Sequence, residues 1–423
     1  MSKVVKAKYT SEAVAGFTHR TAMEEAARCL LCHDAPCSRD CPAGTDPGKF
    51  IRSIRFRNPK GAAETIRESN ILGGTCARVC PYDNLCEEAC SRCGIDKAIQ
   101  IGKLQRYAIE QEKAFGMNTL KAPAAKRAAK VACVGSGPAS LACAAALAKV
   151  GVQVIIFEKE AEAGGVLRYG IAPSRLPTEV VDHDIEQVKN LGVTFEFGKT
   201  VGKDADISTM GFHAIFVGAG LWESKLPDIP GADLKGVYTA VDFLKTARIK
   251  GESFKFGEKV VIVGGGDVAI DCAVTAKLLG APEVRIVYRR TLEEAPANMP
   301  EFHYALSLGI GITTNMAPAA LEGGPALETA LFKGRDGKSE LKLAADTIVF
   351  AIGQKPEDMQ KIADIALTEK GEIKVGEGGK TSAAHVFAGG DIVNGGKTVV
   401  EAVAEGKEAA ASILAYLEEK GVQ

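Results

Sequence analysis

Cysteine is the residue of this chain whose spacing most clearly indicates chemistry, because nine of the twelve cysteines lie within the first 93 residues. They form two blocks: Cys29, Cys32, Cys37 and Cys41-Pro42, then Cys76, Cys80-Pro81, Cys86, Cys90 and Cys93. Thiolates at such short spacings can converge on one metal centre, and a Cys-Pro ending is typical of ferredoxin runs whose last cysteine binds a second cluster. The pattern predicts two 4Fe–4S clusters and therefore the handling of single electrons.

Two other uses of these cysteines fit less well. A disulfide framework is disfavoured, because a chain of 423 residues can bury a large core without covalent staples. Its first 28 residues also lack the apolar run of a secretory signal. Structural zinc is the better alternative, but zinc sites usually combine two Cys-x2-Cys-like pairs or several histidines. Most gaps here are longer, and His33 would be an extra ligand rather than a needed one.

Composition narrows the function classes further. A length of 423 residues suggests two to four domains. The net charge of −1 provides no electrostatic basis for binding nucleic acid or an anionic membrane. No apolar run reaches the ~18 residues that a membrane-spanning helix needs. Reduced cysteines and the lack of a targeting segment predict a cytoplasmic location.

The elements that must position these residues change in character along the chain. Residues 1 to about 120 contain both cysteine blocks and show helix-like spacing of apolar residues over Ala22–Leu31 and Phe50–Arg67. The Ala-, Lys- and Pro-rich stretch Lys121–Lys130 has the composition of a linker. From Val131 onward, short β-branched runs, glycine turns and alanine-rich helices alternate, which predicts a parallel sheet.

The first unit of that sheet has the pattern of a dinucleotide site. It consists of strand Val131–Val134, the turn Gly135-Ser136-Gly137-Pro138-Ala139-Ser140, helix Leu141–Val150 and strand Val154–Phe157, which ends in Glu158. The first glycine permits the tight turn, the second lets the backbone approach a pyrophosphate, and the helix N-terminus supplies free N–H groups. Glu158 is placed to accept ribose hydroxyls. The unit departs from the usual pattern at Ser140, which replaces the third glycine.

A second unit of the same kind begins at Lys259. It consists of strand Lys259–Val263, the turn Gly264-Gly265-Gly266-Asp267-Val268, a helix to about Leu279 and strand Val284–Val287. No acid stands where Glu158 stood in the first unit. Arg289 and Arg290 lie there instead, which suits a 2′-phosphate as in NADP. The acidic first unit and the basic second unit predict FAD and NADP, respectively.

Two later strands complete the predicted fold. Asp346–Gly353 has the pattern of a buried strand that ends in glycine, and Thr381–Asp391 that of a strand that ends in an acid and precedes the helix after Thr398. The predicted class is α/β, with an all-α iron–sulfur domain followed by two Rossmann-like domains. Their expected ranges are residues 1–125 for the helical domain, 126–245 with 346–423 for the FAD domain, and 246–345 for an inserted NAD(P) domain.

From Cys29 to its end, the chain resembles the flavin and iron–sulfur module shared by dihydropyrimidine dehydrogenase and the small subunit of bacterial glutamate synthase. The stretches that carry the likeness are RCLLCHDAPCSRDCPAGTDPGKFIRSI, KGAAETIRESN, CARVCP, IGKLQRY, GGGDVAIDCA and FAGGDIVNGGKTVVEAV. Among the sister families, it is most similar to the NAD(P)H- and FAD-binding subunits of bacterial dihydropyrimidine dehydrogenases.

This resemblance implies a definite ligand set for the two clusters. One cluster would be held by Cys29, Cys32, Cys37 and Cys90, and the other by Cys41, Cys80, Cys86 and the side chain of Gln105. Glutamate synthases typically have an acidic residue at the position of Gln105, so the glutamine favours the pyrimidine branch. Cys76, which spacing alone would make a ligand, becomes a bystander, and Cys93 has no role in the family.

The resemblance also implies which residues contact the nucleotides. For FAD they are Gly135, Ser136, Gly137, Pro138, Ala139, Glu158, Gly164, Gly165, Val166, Arg175, Val201 and the segment Gly390, Asp391 to Thr398. For the nicotinamide they are Gly264, Gly265, Gly266, Asp267, Val268, Arg289, Arg290, Ala351, Ile352 and Gly353. Thr291–Pro300 lacks a further arginine that grips the 2′-phosphate in the mammalian enzyme, and bacterial relatives are generally taken to use NADH. On the sequence alone, Arg289 and Arg290 favour NADPH slightly over NADH as the electron donor.

The implied function is that of an electron-input subunit. NAD(P)H would reduce FAD, and two 4Fe–4S clusters would pass single electrons to a partner containing FMN and further clusters, within a heterotetramer. That partner would reduce uracil or thymine to the 5,6-dihydropyrimidine, or catalyse the reverse. No residue of this chain would then be catalytic, since the polypeptide supplies distance, orientation and redox tuning. The alternatives are a glutamate synthase small subunit, a ferredoxin–NADP transhydrogenase flavoprotein and a non-catalytic scaffold.

Overall fold

The computed structural model describes residues 8–359, 362 and 364–422. They form two compact units, each discontinuous in sequence. The larger unit comprises residues 14–168, 178–221 and those from 356 onward, and the smaller unit comprises 169–177, 222–355 and the described residues before 14. The helical region with the cysteine blocks therefore shares one unit with the first sheet.

The described residues contain helices in both stretches where helix-like spacing predicts them, although the first of these helices ends at Arg28, before Leu31. The helices of the described residues are α1 His19–Arg28, α2 Pro36–Arg39, α3 Pro47–Arg55, α4 Pro59–Ser69, α5 Gly73–Val79, α6 Ile101–Ala114, α7 Pro138–Lys149, α8 Val166–Tyr169, α9 Thr178–Asn190, α10 Ala240–Lys250, α11 Asp267–Leu278, α12 Met299–Ser307, α13 Asp391–Asn394 and α14 Val399–Glu419. None of the helices in the described part of the chain is both long enough and apolar enough to cross a lipid bilayer.

The stretch Phe50–Arg67, which has helix-like spacing throughout, is divided between α3 and α4. Pro59 occupies the first turn of α4, where its missing N–H is not needed, and it disfavours helical backbone in the residue before it. Asn58 adopts a non-helical conformation and its side chain accepts a hydrogen bond from Gly61 N at 2.9 Å. The capped Asn-Pro pair therefore starts a new helix inside an otherwise continuous apolar pattern.

Within the part of the chain that the structure describes, the strands belong to four sheets. They are β1 Lys130–Val134, β2 Gln153–Glu158, β3 Thr194–Phe197, β4 Ala214–Val217, β5 Glu223–Ser224, β6 Val237–Thr239, β7 Lys259–Val263, β8 Glu283–Val287, β9 Gly311–Thr313, β10 Met316–Gly323, β11 Leu327–Gly334, β12 Glu340–Ala344, β13 Thr347–Phe350, β14 Gln354–Lys355 and β15 Val386–Ala388.

The larger unit contains a parallel sheet with the order β15-β4-β1-β2-β3. Val134 at the end of β1 pairs with Phe157 of β2 and with Val217 of β4, so the loops after these three strands open at the same edge. Ligands of such sheets bind at the carboxyl ends of the strands. The order confirms the predicted interrupted fold, because β15 comes from the C-terminal segment and closes the sheet beside β4.

The smaller unit contains a second parallel sheet with the order β6-β13-β7-β8-β9, a three-stranded antiparallel sheet β10-β11-β12 and the antiparallel pair β5–β14. Its parallel sheet extends beyond the predicted boundaries of 246–345 at both ends, because β6 and β13 lie outside that range. All four residues of β13 are buried, and this strand pairs with both β6 and β7. A short buried strand does not reveal from its sequence which of two sheets it will enter, and the domain boundaries stay a prediction.

Candidate functional site

The four cysteines predicted to bind the first cluster lie near one another. Cys29 ends α1, Cys37 lies in α2, and Cys90 immediately precedes a short 3₁₀ helix. Burial raises the pKa of the Cys37 thiol to about 11, with smaller contributions from the neighbouring Cys90, Cys29 and Cys32. Cys32 Sγ also lies 3.6 Å from Ser91 Oγ, beside Cys90. Two chain segments far apart in sequence therefore meet at one group of thiols.

The second predicted ligand set lines one cavity in the larger unit. The residues of interest in its wall are Cys41, Cys76, Cys80, Cys86, Gln105 and Val400. A 4Fe–4S cluster is usually held by four protein ligands. The wall of this cavity contains the thiols of three predicted ligands, Cys41, Cys80 and Cys86, together with the side-chain amide of Gln105. The donor set present therefore fits the cluster that the resemblance implies.

Gln105 lies in the wall of this cavity with its amide nitrogen already engaged. It lies in α6, is only 8% exposed, and its Nε2 donates to the carbonyl oxygen of Gly73 at 2.8 Å. A backbone carbonyl can only accept, so the amide nitrogen must face Gly73 and its oxygen is left for another partner. Gly73 is the first residue of α5, and Cys80 directly follows that helix. One hydrogen bond thus links the Gln105 side chain to α5, the helix that directly precedes the predicted ligand Cys80.

Cys76 lies in the same cavity as these predicted ligands. It is 2% exposed, and its backbone oxygen accepts from Cys80 N at 3.2 Å. A hydrogen bond with the Cys76 side chain raises the pKa of the Cys80 thiol well above its ordinary value, and burial adds to this effect. The exclusion of Cys76 from the ligand set stays a prediction, since its thiol lines the cavity together with those of the predicted ligands.

The other cysteines lie in different surroundings. Cys93 is exposed, with its Sγ 3.5 Å from the carbonyl oxygen of Glu87. Cys133, Cys143 and Cys272 are buried in the elements of the two parallel sheets, as expected for core packing. Within the described ranges, no three side chains of His, Cys, Asp or Glu are placed to share a single metal ion.

The first glycine turn is held by a buried serine and a buried acid. Gly135 has a φ of +85°, and a Cβ on it would lie 2.8 Å from the carbonyl oxygen of Gly218. Ser136 donates to the Glu158 carboxylate through its N–H at 2.9 Å and through its hydroxyl, which also accepts from Gly164 N at 3.0 Å. Ser136 and Glu158 are 0% and 5% exposed. The carboxylate predicted to bind ribose is therefore fixed at the edge of the turn.

The departure from the third glycine at Ser140 has a structural compensation. Ser140 is fully buried and its hydroxyl points toward the carbonyl oxygen of Val134, at 3.5 Å. A Cβ on Gly218, in the loop after β4, would collide with this hydroxyl. A glycine at the third position normally lets the helix pack closely against the strand. Here Gly218, which has no side chain, leaves room for the Ser140 hydroxyl instead.

The C-terminal segment returns to the same edge of the sheet. Gly390 has a φ of +79°, and a Cβ there would lie 2.9 Å from that of Ala139 in the first turn. Burial raises the pKa of Asp391, the first residue of α13. Thr398 caps α14 and accepts from Glu401 N at 3.3 Å. The predicted FAD residues Ala139 and Gly390, which are far apart in sequence, are thus adjacent. Val400, the second residue of α14, lies in the wall of the cavity that contains Gln105.

Arg175 and Val201 are two further residues predicted to contact FAD. Arg175 belongs to the smaller unit, where its Nη1 lies 3.2 Å from Asp271 of α11 and its Nε 3.4 Å from Glu301. Val201 lies in the larger unit, bridged to Ala205 beyond β3. The contacts of Arg175 are with the second sheet's helices, so its assignment to FAD stays a prediction.

The second glycine turn is buried at Gly264 and Gly265 and is exposed only where its helix begins, at Val268. A Cβ on Gly265 would collide with the ring of Tyr288, and Asp267 at the start of α11 accepts from Asn298 N at 3.0 Å. Ala351 N donates to Val263 O at 2.8 Å, which brings the predicted segment after β13 beside the turn. Arg289 and Arg290 follow β8 and are exposed. The predicted nicotinamide residues therefore gather at one edge of the second sheet.

Two lysines that the sequence analysis overlooked link the first sheet's helices to the helical region. Lys407 of α14 donates to Ala43 O at 2.6 Å and to Ser69 O at 2.8 Å, and Lys149 of α7 donates to Arg67 O at 2.9 Å. Burial lowers the pKa of Lys149 to about 8, and Lys407 nearby lowers it as well. These ammonium groups satisfy carbonyls at the end of α4. The local sequence does not reveal this role of Lys149 and Lys407, because lysines are common on helices and the carbonyl oxygens that they contact are far away in the chain.

Comparison with known proteins identifies two families along this chain. Residues 6–117 match the family described as dihydropyrimidine dehydrogenase domain II, 4Fe-4S cluster. Residues 129–406 match the pyridine nucleotide-disulphide oxidoreductase family. The solved structure of Mycobacterium tuberculosis FprA in complex with NADPH is similar with a TM-score of 0.60 at 18% identity, over 70% of this chain and 86% of that one. At this identity, the likeness shows the fold alone.

Similar proteins of full length narrow the family. The NAD-dependent dihydropyrimidine dehydrogenase subunit PreT of Escherichia coli O157:H7 is 45% identical over 414 residues, which cover 97% of this chain and 98% of the relative. The small chain of the NADPH glutamate synthase of Escherichia coli K12 is 32% identical over 437 residues, with 95% and 93% covered. The chain therefore belongs to the family of NAD-dependent dihydropyrimidine dehydrogenase subunits, oxidoreductases that join a 4Fe–4S domain to a pyridine nucleotide-disulphide oxidoreductase fold.

Proposed function

We propose that this chain is the electron-input subunit of a dihydropyrimidine dehydrogenase, with electrons entering at the flavin and leaving through two clusters. FAD, when bound, supplies the conversion of a hydride into single electrons. The observation that carries the proposal is the position of Val400, which lines the Gln105 cavity two residues after Thr398 of the predicted flavin segment. This adjacency supports a path in which the Gln105-side cluster is the first acceptor.

The second part of the path rests on the neighbouring thiols. Burial contributes most to the raised pKa of the Cys86 thiol, and Glu87 raises it further. Smaller contributions come from Cys41 of its own set and from Cys37 of the other set. The two ligand sets therefore adjoin within the larger unit. We assign Cys29, Cys32, Cys37 and Cys90 to the outer cluster, and Cys41, Cys80, Cys86 and Gln105 to the inner one.

The nucleotide sites follow from the two turns. Gly135–Ala139, Glu158, Gly164–Val166 and Gly390–Thr398 would hold FAD at the first sheet, and Gly264–Val268 with Ala351–Gly353 would hold the nicotinamide at the second. We propose NADH as the donor, because the relative with 45% identity is named NAD-dependent. Arg289 and Arg290 are exposed, and contacts of exposed charges contribute little. This reverses the preference that the sequence suggested.

The partner is proposed to contain FMN and iron–sulfur clusters and to reduce uracil or thymine. This extends to the present chain what the name of its PreT relative states, a subunit of a dihydropyrimidine dehydrogenase. A heterotetramer in the cytoplasm is the expected assembly. The glutamate synthase small chain, at 32% identity, supports a second candidate in which the partner is an amidotransferase.

Activity of the purified chain tests the proposal. The chain alone should oxidise NADH with an artificial electron acceptor and should leave uracil unchanged, because the steps assigned to it end at the clusters. Adding the FMN-containing partner should give uracil-dependent NADH oxidation. Uracil reduction by the single chain would contradict the two-subunit assignment, and glutamate formation with an amidotransferase partner would favour the second candidate.

Iron content tests the ligand set. Cys80→Ala and Gln105→Ala should each lower the iron of the purified holoprotein or alter the EPR signal of one cluster only. Cys76→Ala is the matched control, since it removes a buried thiol from the same cavity. If Cys76→Ala loses a cluster while Gln105→Ala retains both with unchanged signals, Cys76 is the fourth ligand.

A further inference from the structure

Arg67 in α4 is a charged residue without any contact to solvent. Its side chain is 0% exposed, as are the side chains of Glu112 and Asp184, with which it forms ion pairs at 2.7 and 2.6 Å. A buried charge is tolerated only when it is paired and hydrogen-bonded. The sequence stretch that contains Arg67 belongs to the family likeness, but neither the proposed ligands nor the predicted nucleotide contacts involve it.

Glu112 in α6 has two hydrogen-bond partners besides Arg67. Its carboxylate lies 3.0 Å from His183 Nε2 and accepts from the Thr119 hydroxyl. Burial acts to raise the pKa of Glu112, but His183, Arg67 and Thr119 together outweigh it and lower the pKa to about 2. The carboxylate is therefore charged at neutral pH.

Asp184 connects this group to α5. It lies in α9, a helix of the first sheet, and its two oxygens accept from Gly74 N at 3.2 Å and Thr75 N at 2.7 Å at the start of α5. A Cβ on Gly74 would come within 3.0 Å of the Asp184 carboxylate, so the glycine permits this approach. The helix capped in this way contains Cys76 and ends at Val79, directly before Cys80.

Glu112 connects the same group to Gln105. Both residues are on α6, seven positions and thus about two turns apart, which places them on the same face of the helix. Gln105 in turn donates to Gly73 O at the start of α5. Arg67 therefore joins the two helices that present Gln105 and Cys80 to the cavity, through one acid on α6 and another that caps α5.

We propose that Arg67, Asp184 and Glu112 are positioning residues for the inner cluster: they hold α5 against α6 and place fixed charges close to the Gln105 cavity. This inference rests on the proposed ligand set. Its physical consequence is a dependence of the inner cluster's reduction potential on these charges, because a nearby negative charge disfavours the added electron and a positive charge favours it.

The expected size follows from the geometry of α5. Thr75 and Cys80 are five residues apart, which at 1.5 Å per residue corresponds to roughly 10 Å from the Asp184 carboxylate to the cluster. At an effective dielectric constant of about 20, one unit charge at that distance changes an equilibrium by roughly tenfold. For a one-electron couple, tenfold corresponds to about 59 mV.

The test is a charge cycle in the purified holoprotein, with the midpoint potential of each cluster followed by EPR. Asp184→Asn should raise the potential of the inner cluster, and Arg67→Met should lower it, each by up to about tenfold in the reduction equilibrium. The double variant Arg67→Met with Asp184→Asn should return close to the wild-type potential. The amide introduced by Asp184→Asn retains one oxygen that can accept from Thr75 N, so this variant keeps part of the helix cap and loses the acceptor of Gly74 N and Arg67 Nη1.

The matched control is Lys60→Gln on the same helix. Lys60 forms an exposed pair with Glu64 at 3.8 Å, with side chains 58% and 48% exposed, so its loss should leave both potentials unchanged. Glu112→Gln is a further variant that removes a negative charge and should act like Asp184→Asn. If Arg67→Met does not fold, Glu112→Gln and Asp184→Asn together still test whether removing a negative charge raises the potential of the inner cluster.

Three outcomes would overturn the inference. They are unchanged potentials in Asp184→Asn and Glu112→Gln, shifts of the same sign for removal of the acid and of the arginine, and equal shifts of both clusters. Failure of the ligand set has a different signature, because Gln105→Ala would then leave iron content and both EPR signals unaltered. Opposite shifts confined to one cluster would support the inference even if Cys76 proved to be its fourth ligand.

Discussion

The two glycine turns follow the first strands of similar parallel sheets, yet their surroundings differ. In the first turn, the Ser136 hydroxyl bridges the Glu158 carboxylate and Gly164 N, and both side chains are buried. The second turn has Gly265 at the position of Ser136, and the strand beside it is followed by exposed Arg289 and Arg290. A turn fixed by buried side-chain hydrogen bonds suits a cofactor that stays bound, whereas a turn bordered by exposed charged residues suits a nucleotide that exchanges in each turnover.

The helices after the two turns show a related difference. The fifth residue of α7 is Ala142, which is simply buried, whereas the fifth residue of α11 is Asp271, which is 7% exposed and lies 3.2 Å from Arg175. Burial raises the pKa of Asp271 to about 6, although Arg175 opposes this effect. The first unit therefore relies on apolar packing at this position, and the second contains a buried ion pair that depends on pH.

The largest expected effect is that of Gly135→Ala. A left-handed backbone costs a non-glycine residue about 1–2 kcal/mol, and the clash with Gly218 O adds about 1–3 kcal/mol. We expect loss of FAD and a decrease of about 4 kcal/mol in the free energy of unfolding, measured by flavin absorbance and denaturant unfolding.

Gly137→Ala is the control within the same turn. Its φ is not in the left-handed region, and the nearest atom to an added Cβ would be Gly218 O at 3.7 Å. The protein should remain folded but lose FAD affinity if this glycine faces the pyrophosphate. Equal stability of Gly135→Ala and Gly137→Ala would contradict the structural distinction drawn between them.

The next effect concerns the pH dependence of stability through Asp271. Its pKa is raised to about 6 in the folded chain from an ordinary value of 3.8, so the folded state binds the proton more tightly. The resulting stabilisation is complete below pH 4 and is lost as the pH rises through 6. Between pH 4.5 and 7, Asp271→Asn should gain about 2 kcal/mol in the free energy of unfolding relative to the wild type. A constant difference over this range would show that Asp271 is not buried as described.

Ser136→Ala should have a moderate effect. The substitution removes the hydroxyl that donates to Glu158 and leaves the buried Gly164 N without its acceptor at 3.0 Å. An unsatisfied buried donor costs about 1–3 kcal/mol, so thermal unfolding should occur at a lower temperature and FAD should bind more weakly. Ser208→Ala, at an exposed hydroxyl that donates to Asp206 at 2.5 Å, is a suitable control and should change stability little.

The smallest effect is expected at the exposed arginines beside the second turn. Arg289→Gln with Arg290→Gln should raise the KM for NADPH by no more than about fivefold, since contacts of exposed charges contribute at most about 1 kcal/mol, and should leave the KM for NADH within about twofold. Steady-state kinetics with an artificial acceptor would measure both values. Flavin content should not change, and a comparable loss with NADH would mean that the arginines contact the shared part of the nucleotide.

Local sequence patterns were sufficient for much of the fold. The two glycine turns, their flanking strands and the capped start of α14 at Thr398 depend on contacts within a few residues, so periodicity and turn chemistry predict them. The same patterns could not predict the break at Asn58-Pro59 from apolar spacing alone. They also could not show that β6 and β13 enter the second sheet, because a short buried strand fits either sheet equally well.

The sequence by itself determined that two thiol blocks and two dinucleotide units are present, since short spacings and glycine turns encode their chemistry locally. Only the tertiary structure decided that Gln105, Cys76 and Val400 share one cavity, and that Arg67 is enclosed by Glu112 and Asp184. These residues are far apart in the chain. Their meeting depends on how α4, α5, α6, α9 and α14 bury their faces against one another, which is a property of the whole packed unit.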